Sequence, residues 1–336
     1  MSFLKDSFFK KLSIFFIFTF SIFLTFYLVK KGTTVHLPTR DRPIVFFNSQ
    51  NQEDLKLTFI DAIQKAQHKI VLAIFTLKDP HLIAWLNKKV KQGVEVRVYY
   101  DAEHNKDLVS LIDERVALIP YQLRGLMHRK LLMIDDIFSI VGSANCTKSS
   151  LMEDDNLICG LYSEQLTLWL ERHLTHYNIH ASFYASSGEY TCFLNPDKKK
   201  EALHRLIHEI DSAKKCIKLA MYSFSHPEII RALARAQERG VDLEIYLDKQ
   251  MRFADYLKKQ KGFEEIRRAV RFSKKPFLMH HKCALIDDET FIMGSTNWTQ
   301  AGFMKNQDFL LIFHQLDSDL RSYLQMVFKT IGLAAS

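Results

Sequence analysis

Cysteine, proline and glycine are all scarce in this sequence of 336 residues. It has five cysteines, 7 prolines and 11 glycines, and no two cysteines have C-x-x-C spacing. A disulfide framework or a cysteine zinc site needs a different pattern, so we expect buried free thiols. With 47% hydrophobic and 25% charged residues, the composition is that of a globular protein and excludes a disordered or collagen-like chain.

A strong excess of one charge is also missing. The formal net charge is +8, and half of it comes from residues 1–31, where five lysines face one aspartate. The charge left on the rest of the chain is too small to argue for nucleic acid binding. At about 150 residues per domain, the length predicts two domains.

One long apolar run stands near the N-terminus. Residues 12–29 carry no charge and have a pair of lysines on either side. As a helix they span about 27 Å, close to the thickness of a bilayer core. After a short tail of residues 1–11, we expect a single-pass membrane anchor; a cleaved signal and a buried helix are the alternatives. The flanking lysines leave the orientation open, and the extracytoplasmic side is favoured for the rest of the chain.

A long internal repeat follows. Residues 66–101 match residues 213–248 without a gap at an offset of 147, with 11 identities. In each copy an apolar run precedes a helix that opens near a proline and ends near a glycine, and a second strand follows. This order predicts a βαβ unit in each half and a largely parallel sheet covered by helices.

Each half also carries the pattern H-x-K-x4-D-x6-G-S-x-N, now at an offset of 152. Its members are His128, Lys130, Asp135, Gly142, Ser143 and Asn145 in the first half, and His280, Lys282, Asp287, Gly294, Ser295 and Asn297 in the second. Two complete copies inside a longer duplication are too regular to be incidental.

The spacing of this motif predicts one compact site. Histidine and lysine two residues apart leave the same face of a strand. The acidic pairs Asp135–Asp136 and Asp287–Asp288 predict a tight turn, after which a second strand returns serine and asparagine to the histidine. Lysine, serine and asparagine suit the oxygens of a phosphate diester, and histidine suits nucleophilic or acid–base chemistry.

These paired motifs resemble those of the phospholipase D superfamily, and the resemblance covers roughly residues 45–325. It implies an α/β fold of two duplicated sandwich halves, 45–185 and 190–330, about a pseudo-two-fold axis, preceded here by the N-terminal hydrophobic helix. Both motifs would meet at one site. The resemblance also implies a covalent phosphohistidine intermediate without a metal or other cofactor, and a monomer, because one chain holds both motifs.

The resemblance assigns a role to each motif residue. His128 is expected to be the nucleophile and His280 the general acid and base, with Lys130 and Lys282 beside them. Asp135 and Asp287 are counted with this catalytic set, although in the family they more often support the fold. The predicted phosphate ligands are Ser143, Asn145, Ser295 and Asn297.

Two further residues are expected to orient the histidines. The family often has an acidic residue 11 positions after the motif asparagine, where it orients the histidine of its own half. The second half has Asp308 there, but the first half has Asn156, next to Asp154 and Asp155. We therefore expect Asp308 to hold His280 and His128 to lack a charged partner; the alternative is that Asp154 or Asp155 takes the place of Asn156 and orients His128.

A local basic stretch lies before the second motif. Residues 249–275 hold ten basic and three acidic residues, whereas the equivalent residues 102–127 hold three and four. It is either a solvated face or a surface for anionic lipid or nucleic acid. The interleaved aromatics favour insertion at a lipid interface: Phe253, Tyr256, Phe263, Phe272 and Phe277.

The sequence thus predicts a membrane-anchored, phospholipase D-type phosphodiesterase that acts on the headgroup side of a glycerophospholipid substrate. A metal-independent endonuclease acting on nucleic acid and a cardiolipin synthase-like phosphatidyltransferase are the alternatives within the family. An inactive, membrane-tethered binding protein is the alternative outside enzymes, and two complete motifs argue against it.

Overall fold

The computed structural model describes residues 35–335 except 52, 122–124, 177–178, 187 and 254–258. Leu37–Ser336 form one compact unit. The expected membrane anchor at residues 12–29 lies outside the described residues. Within the described ranges, no helix has the length and apolar character needed to cross a membrane.

The first half forms a seven-stranded sheet. In spatial order its strands are β1 (Ile44–Asn48), β7 (Leu157–Tyr162), β6 (Phe138–Gly142), β5 (Lys130–Ile134), β2 (Lys69–Ile74), β3 (Glu95–Asp101) and β4 (Ala117–Tyr121). Its helices are α1 (Leu55–Lys65), α2 (Pro80–Lys91), α3 (Leu108–Leu111), α4 (Lys148–Met152) and α5 (Glu164–Arg172), with a 3₁₀ turn at Ser49–Asn51.

The second half forms an eight-stranded sheet. Its strands are, in order, β12 (Val270–Phe272), β11 (Asp242–Leu247), β10 (Cys216–Met221), β13 (Lys282–Ile286), β14 (Thr290–Gly294), β15 (Phe309–His314), β9 (Gly188–Leu194) and β8 (Ile179–Ala185). Its helices are α6 (Glu201–Ser212), α7 (Pro227–Glu238), α8 (Phe263–Ile266), α9 (Gln300–Met304) and α10 (Ser318–Leu333), with 3₁₀ turns at Lys249–Phe253 and Arg267–Ala269. The β8–β9 hairpin spans the expected boundary at residues 185–190.

Both sheets are mixed, so the prediction of largely parallel sheets is wrong. Parallel pairing is found for β2–β3–β4 and β10–β11–β12. The strands of each motif instead pair antiparallel with each other and with β2 or β10. The βαβ unit accounts for the parallel part, and the motif hairpin adds the antiparallel part, because a short turn can join only antiparallel strands.

The acidic pair turns the chain in each motif hairpin, as predicted. Asp135 and Asp136 have φ of 53° and 61°, and Asp287 and Asp288 have φ of 55° and 59°. Two successive left-handed residues make the turn type that matches the twist of a hairpin, and aspartate tolerates that conformation. The return strand ends at Gly142 or Gly294, where a Cβ atom would collide with the carbonyl oxygen of the neighbouring strand.

The two sheets pack against each other through alternate residues of their strands. One continuous cluster of buried side chains includes Val71, Leu131 and Val141 of the first half with Leu285, Phe291 and Leu311 of the second. The Phe46 ring lies 5.3 Å from that of Phe291 and 5.6 Å from that of Phe313. Helices cover the outer face of the second sheet. Strands buried on both faces explain the continuous apolar runs in the sequence.

Candidate active site

The two motif histidines lie just before β5 and β13. His128 and His280 are buried, with 6% and 7% of their surface exposed. Because β2 and β10 run antiparallel to β5 and β13, their carboxyl ends reach the same sheet edges as the histidines. The βαβ units and the motif hairpins therefore meet at one edge of each sheet.

Each histidine segment pairs with the backbone of the other half. The His128 N–H donates to the carbonyl of Gln307 at 2.8 Å, and the His280 N–H donates to that of Asp155 at 2.8 Å. Each acceptor residue also donates its own N–H back to the histidine segment. This reciprocity joins the two halves around the histidines, as a duplicated fold with one shared site requires.

Each orienting residue binds the histidine of the other half, so the predicted pairing within each half is wrong. His128 Nδ1 donates to Asp308 Oδ1 at 2.8 Å, and His280 Nδ1 donates to Asn156 Oδ1 at 2.9 Å. The backbone exchange explains this, because it brings the residue after Gln307 or Asp155 beside the opposite ring. The nucleophile candidate therefore has the charged partner, and the acid–base candidate has the neutral one.

The motif serines fix these orienting residues. The Ser143 hydroxyl donates to Asn156 Oδ1 at 2.8 Å, and the Ser295 hydroxyl donates to Asp308 Oδ1 at 2.6 Å. Each hydroxyl oxygen also accepts the next strand's backbone N–H. Because these bonds use the hydroxyl proton, the structure places both serines as supports of the histidine partners rather than as the predicted phosphate ligands.

The motif lysines lie beside the histidines and are buried. Lys130 Nζ donates to the His128 carbonyl at 2.7 Å, and Lys282 Nζ donates to the His280 carbonyl at 2.9 Å. Burial lowers the pKa of Lys130 to about 7 and that of Lys282 well below its ordinary value. An anion in the cleft would favour the charged ammonium again. Each ammonium has further N–H groups that can donate to such an anion, which agrees with the role predicted for the two lysines.

Burial and charge act differently on the two imidazoles. Burial and Lys130 lower the pKa of His128, while Asp308 opposes the shift. For His280, burial and the neighbouring Lys282, Lys130 and His128 all act in one direction and hold its pKa well below the ordinary value. Burial alone would raise the pKa of the Asp308 carboxyl. The effects of His128 and Lys130 outweigh that of burial and lower this pKa. These effects run between the two motifs, so their charged groups lie close together.

The remaining predicted phosphate ligands follow the return strands. The side-chain oxygens of Asn145 and Asn297 are buried and accept no hydrogen bond from the described residues. Their phosphate-binding role remains a prediction. In the described part of the chain, no three His, Cys, Asp or Glu side chains cluster as metal ligands would.

The structure does not bring the motif aspartates into the site. Asp135 accepts the backbone N–H groups of residues 67–69, and Asp287 accepts those of residues 214–216, all at 2.7–2.9 Å. Each lies seven residues from its histidine along a strand, or about 20 Å. Their bonds join the hairpin turn to the start of β2 or β10, which is a supporting position and not a catalytic one.

Substitution of Asp287 by alanine should therefore lower stability without removing activity. Loss of a carboxylate that binds free N–H groups costs about 1–2 kcal/mol, and a domain of this size loses about 2–4 °C in Tm per kcal/mol. Thermal unfolding and turnover of a soluble diester measure both effects. Asp287→Asn is the control, because it keeps an acceptor oxygen and tolerates the left-handed turn. A large loss of turnover at unchanged Tm would mean that Asp287 acts in catalysis.

Sequence reasoning missed two pairs of residues that flank the histidines. The Phe75 ring lies 5.1 Å from His128 and the Tyr222 ring 4.8 Å from His280. Asp101 and Asp248 accept the N–H of the residue before each histidine, at 3.1 and 2.9 Å. The signal was available, because both pairs are related by the offset of 147 and stand at the carboxyl ends of the repeated strands.

Comparisons with known proteins identify the family. The family model described as "Cardiolipin synthase, PLD-like domain" matches residues 59–177 and 206–331, and each stretch holds one complete motif. A phospholipase D of Rickettsia conorii is 33% identical over 156 residues, which cover 45% of this chain and 72% of that protein. The chain belongs to the phospholipase D superfamily.

Two further similarities are more limited. The human mitochondrial cardiolipin hydrolase is 32% identical over 132 residues, or 38% of this chain, and the match spans about half (49%) of that relative's length. The crystal structure of the Haemophilus influenzae phosphatidylserine synthase superposes with a TM-score of 0.70 at 12% identity, over 91% of this chain and 90% of that one. At this identity the second similarity supports the fold alone.

Proposed function

We propose that this protein is a phospholipase D-type phosphodiesterase that cleaves or transfers the headgroup side of glycerophospholipids. The observation that carries the proposal is the pair of buried histidines, each with Nδ1 bonded to an acceptor from the other half. Because Nδ1 carries the proton, Nε2 of each neutral ring keeps a lone pair for the cleft. Two such rings supply a nucleophile and a separate acid–base group.

In the first step, His128 Nε2 attacks phosphorus and the bond from phosphorus to the headgroup oxygen breaks. For this step His280 carries a second proton, on Nε2, and gives it to that oxygen, so the headgroup leaves as an alcohol and the His280 ring becomes neutral. The phosphatidyl group stays on His128, whose ring then carries a positive charge that Asp308 balances. Lys130 and Lys282, with Asn145 and Asn297, hold the non-bridging oxygens.

In the second step, His280 Nε2 takes a proton from water while the water oxygen attacks phosphorus. The phosphorus–nitrogen bond breaks, phosphatidic acid leaves, and His128 is neutral again. An acceptor alcohol in place of water gives a new phosphodiester, which is the transferase alternative. Both outcomes use the same groups and need no metal.

Two arguments favour a lipid substrate over nucleic acid. An anchor at residues 12–29 would hold the site where phospholipid is concentrated. The relatives with 32–33% identity are named as a cardiolipin hydrolase and a phospholipase D.

The described halves each supply one motif to one site, so a monomer suffices for activity. An inactive binding protein would not need both complete motifs.

Activity of the full chain in detergent should survive chelation. We expect cleavage of phosphatidylcholine or cardiolipin that changes by less than about twofold in EDTA, since neither motif has metal-ligand spacing. Headgroup release measures it, with single-stranded DNA as a parallel substrate. Activity that EDTA removes and zinc or magnesium restores would contradict the mechanism. Cleavage of DNA alone would favour the endonuclease.

A further inference from the structure

The loop before the second motif lies at the mouth of the site. We call Ser273–Leu278 the rim loop. Since β10, β11 and β12 are parallel and β13 is antiparallel to them, the chain that leaves β12 and enters β13 stays at the edge where His280 lies. Asp154 Oδ1 accepts the Leu278 N–H at 3.2 Å, and Lys249 Nζ donates to the Lys275 carbonyl at 2.9 Å. The rim loop is thus held on both sides.

Two large apolar side chains are exposed at this edge. Phe277 in the rim loop is 45% exposed, and Met152 at the end of α4 is 60% exposed. They belong to segments that the Leu278–Asp154 hydrogen bond joins. Transfer of such exposed apolar side chains from water into an apolar phase lowers the free energy.

Basic side chains are exposed at the same edge. Residues 266–286 contain no acidic residue, and Arg271 and Lys274 are exposed. The buried acid Asp155 is neutralised by Lys275 at 2.9 Å, and Glu153 is the exposed acid next to Met152. The buried acid Asp154 also binds the rim loop, and among the exposed side chains named here Arg271 and Lys274 outnumber Glu153.

We propose that the rim loop and Met152 form a docking surface for an anionic lipid bilayer. Phe277 and Met152 enter the interface, and Arg271 and Lys274 contact lipid phosphates. This inference rests on the proposed function, because docking brings the lipid phosphate to the cleft. Two apolar groups that would meet the surface first favour a bilayer over a nucleic acid backbone, which offers them no apolar phase.

An environment-sensitive fluorophore on Phe277→Cys tests docking in the full chain. Ile137→Cys is the matched control, because Ile137 is 42% exposed and lies in the β5–β6 turn at the opposite edge. In vesicles of phosphatidylcholine with phosphatidylglycerol, we expect the emission at residue 277 to rise severalfold and nitroxide lipids to quench it, while residue 137 stays unchanged. Equal responses at the two positions would overturn the proposal, whatever residues 1–34 contribute.

A second variant tests the charge. Lys274→Glu should weaken the phosphatidylglycerol-dependent response by about fivefold or more, whereas Lys65→Glu, at the end of α1 and the opposite edge, should not. Turnover of the soluble diester bis(p-nitrophenyl) phosphate should stay at the wild-type level in both. A response at residue 277 to single-stranded DNA in place of vesicles would overturn the lipid assignment. Failure of the wild type to turn over the diester would instead refute the proposed function, and the fluorescence response to vesicles would still test docking.

Discussion

Replacement of His128 by alanine should abolish the phosphoenzyme, whereas replacement of His280 should let it accumulate. With bis(p-nitrophenyl) phosphate the leaving nitrophenolate needs no proton, so attack by His128 proceeds without the acid. Water attack in the second step still needs His280 as base, so the adduct persists. We expect a nitrophenolate burst equal to the enzyme concentration in His280→Ala, and a loss of about 10⁴-fold or more in His128→Ala.

Mass spectrometry of the quenched protein locates the adduct. The mass of one nitrophenyl phosphoryl group should be found on the peptide that holds His128, and the His128→Ala variant should carry none. His68→Ala is the control, because His68 is exposed and stands ahead of β2, at the edge away from the site. An adduct on His280 in the wild-type protein would reverse the two roles.

The repeats and motif spacing were enough to predict the main features of the site. The offset of 152 pairs two histidine segments that the structure joins through reciprocal backbone hydrogen bonds, and the acidic pairs marked turns that the structure confirms. Such features depend on local chemistry, because two aspartates in a row accept the left-handed turn whatever surrounds them. Residues 1–34 lie outside the described residues, so the anchor stays a prediction.

Partners that depend on the contact between the halves could not be predicted from spacing. Asn156 and Asp308 were correctly singled out, but each was assigned to the histidine of its own half. The backbone hydrogen bonds of Asp155 and Gln307 to the opposite histidine segments decide which histidine each orienting residue binds. Nothing in the sequence around these two residues indicates those bonds. The motif serines and aspartates were misplaced for a related reason, because spacing gives the face of a strand but not the partner of a hydroxyl or carboxylate.

The crossed pairing makes the two histidines unequal in a direction that can be tested. Asp308 can balance the positive charge of a phosphorylated His128 ring, whereas among the described residues the hydrogen-bond partner of His280 Nδ1 is the neutral Asn156. Asn156 offers only an amide oxygen, while its Nδ2 donates to the Ser150 carbonyl at 2.8 Å. That bond fixes the amide orientation, so Asn156 sets the tautomer of His280 without stabilising its charged form.

Replacement of Asn156 by aspartate should therefore move the alkaline limb of the pH profile upward. His280 must be protonated to release a poor leaving group, and its pKa now lies well below the ordinary value, so the rate falls as pH rises through that pKa. A carboxylate at Nδ1 raises the pKa of His280, and such neighbours shift titrations by about one unit or more. The profile of kcat/KM on phospholipid measures the shift.

The exchange of the two orienting residues carries the same argument to the nucleophile. In Asn156→Asp/Asp308→Asn the carboxylate faces His280, which can then bear the positive charge of a phosphorylated ring, while His128 loses that support. We expect turnover to fall by about 10²-fold or more, and part of the nitrophenyl phosphoryl adduct to move to the peptide that holds His280. The exchange variant keeps the net charge, and Asn87→Asp is the control for the single variant Asn156→Asp, because it adds the same charge on α2, away from the histidines. An unchanged pH profile in Asn156→Asp, with the adduct still confined to His128 in the exchange variant, would mean that the carboxylate does not set the roles.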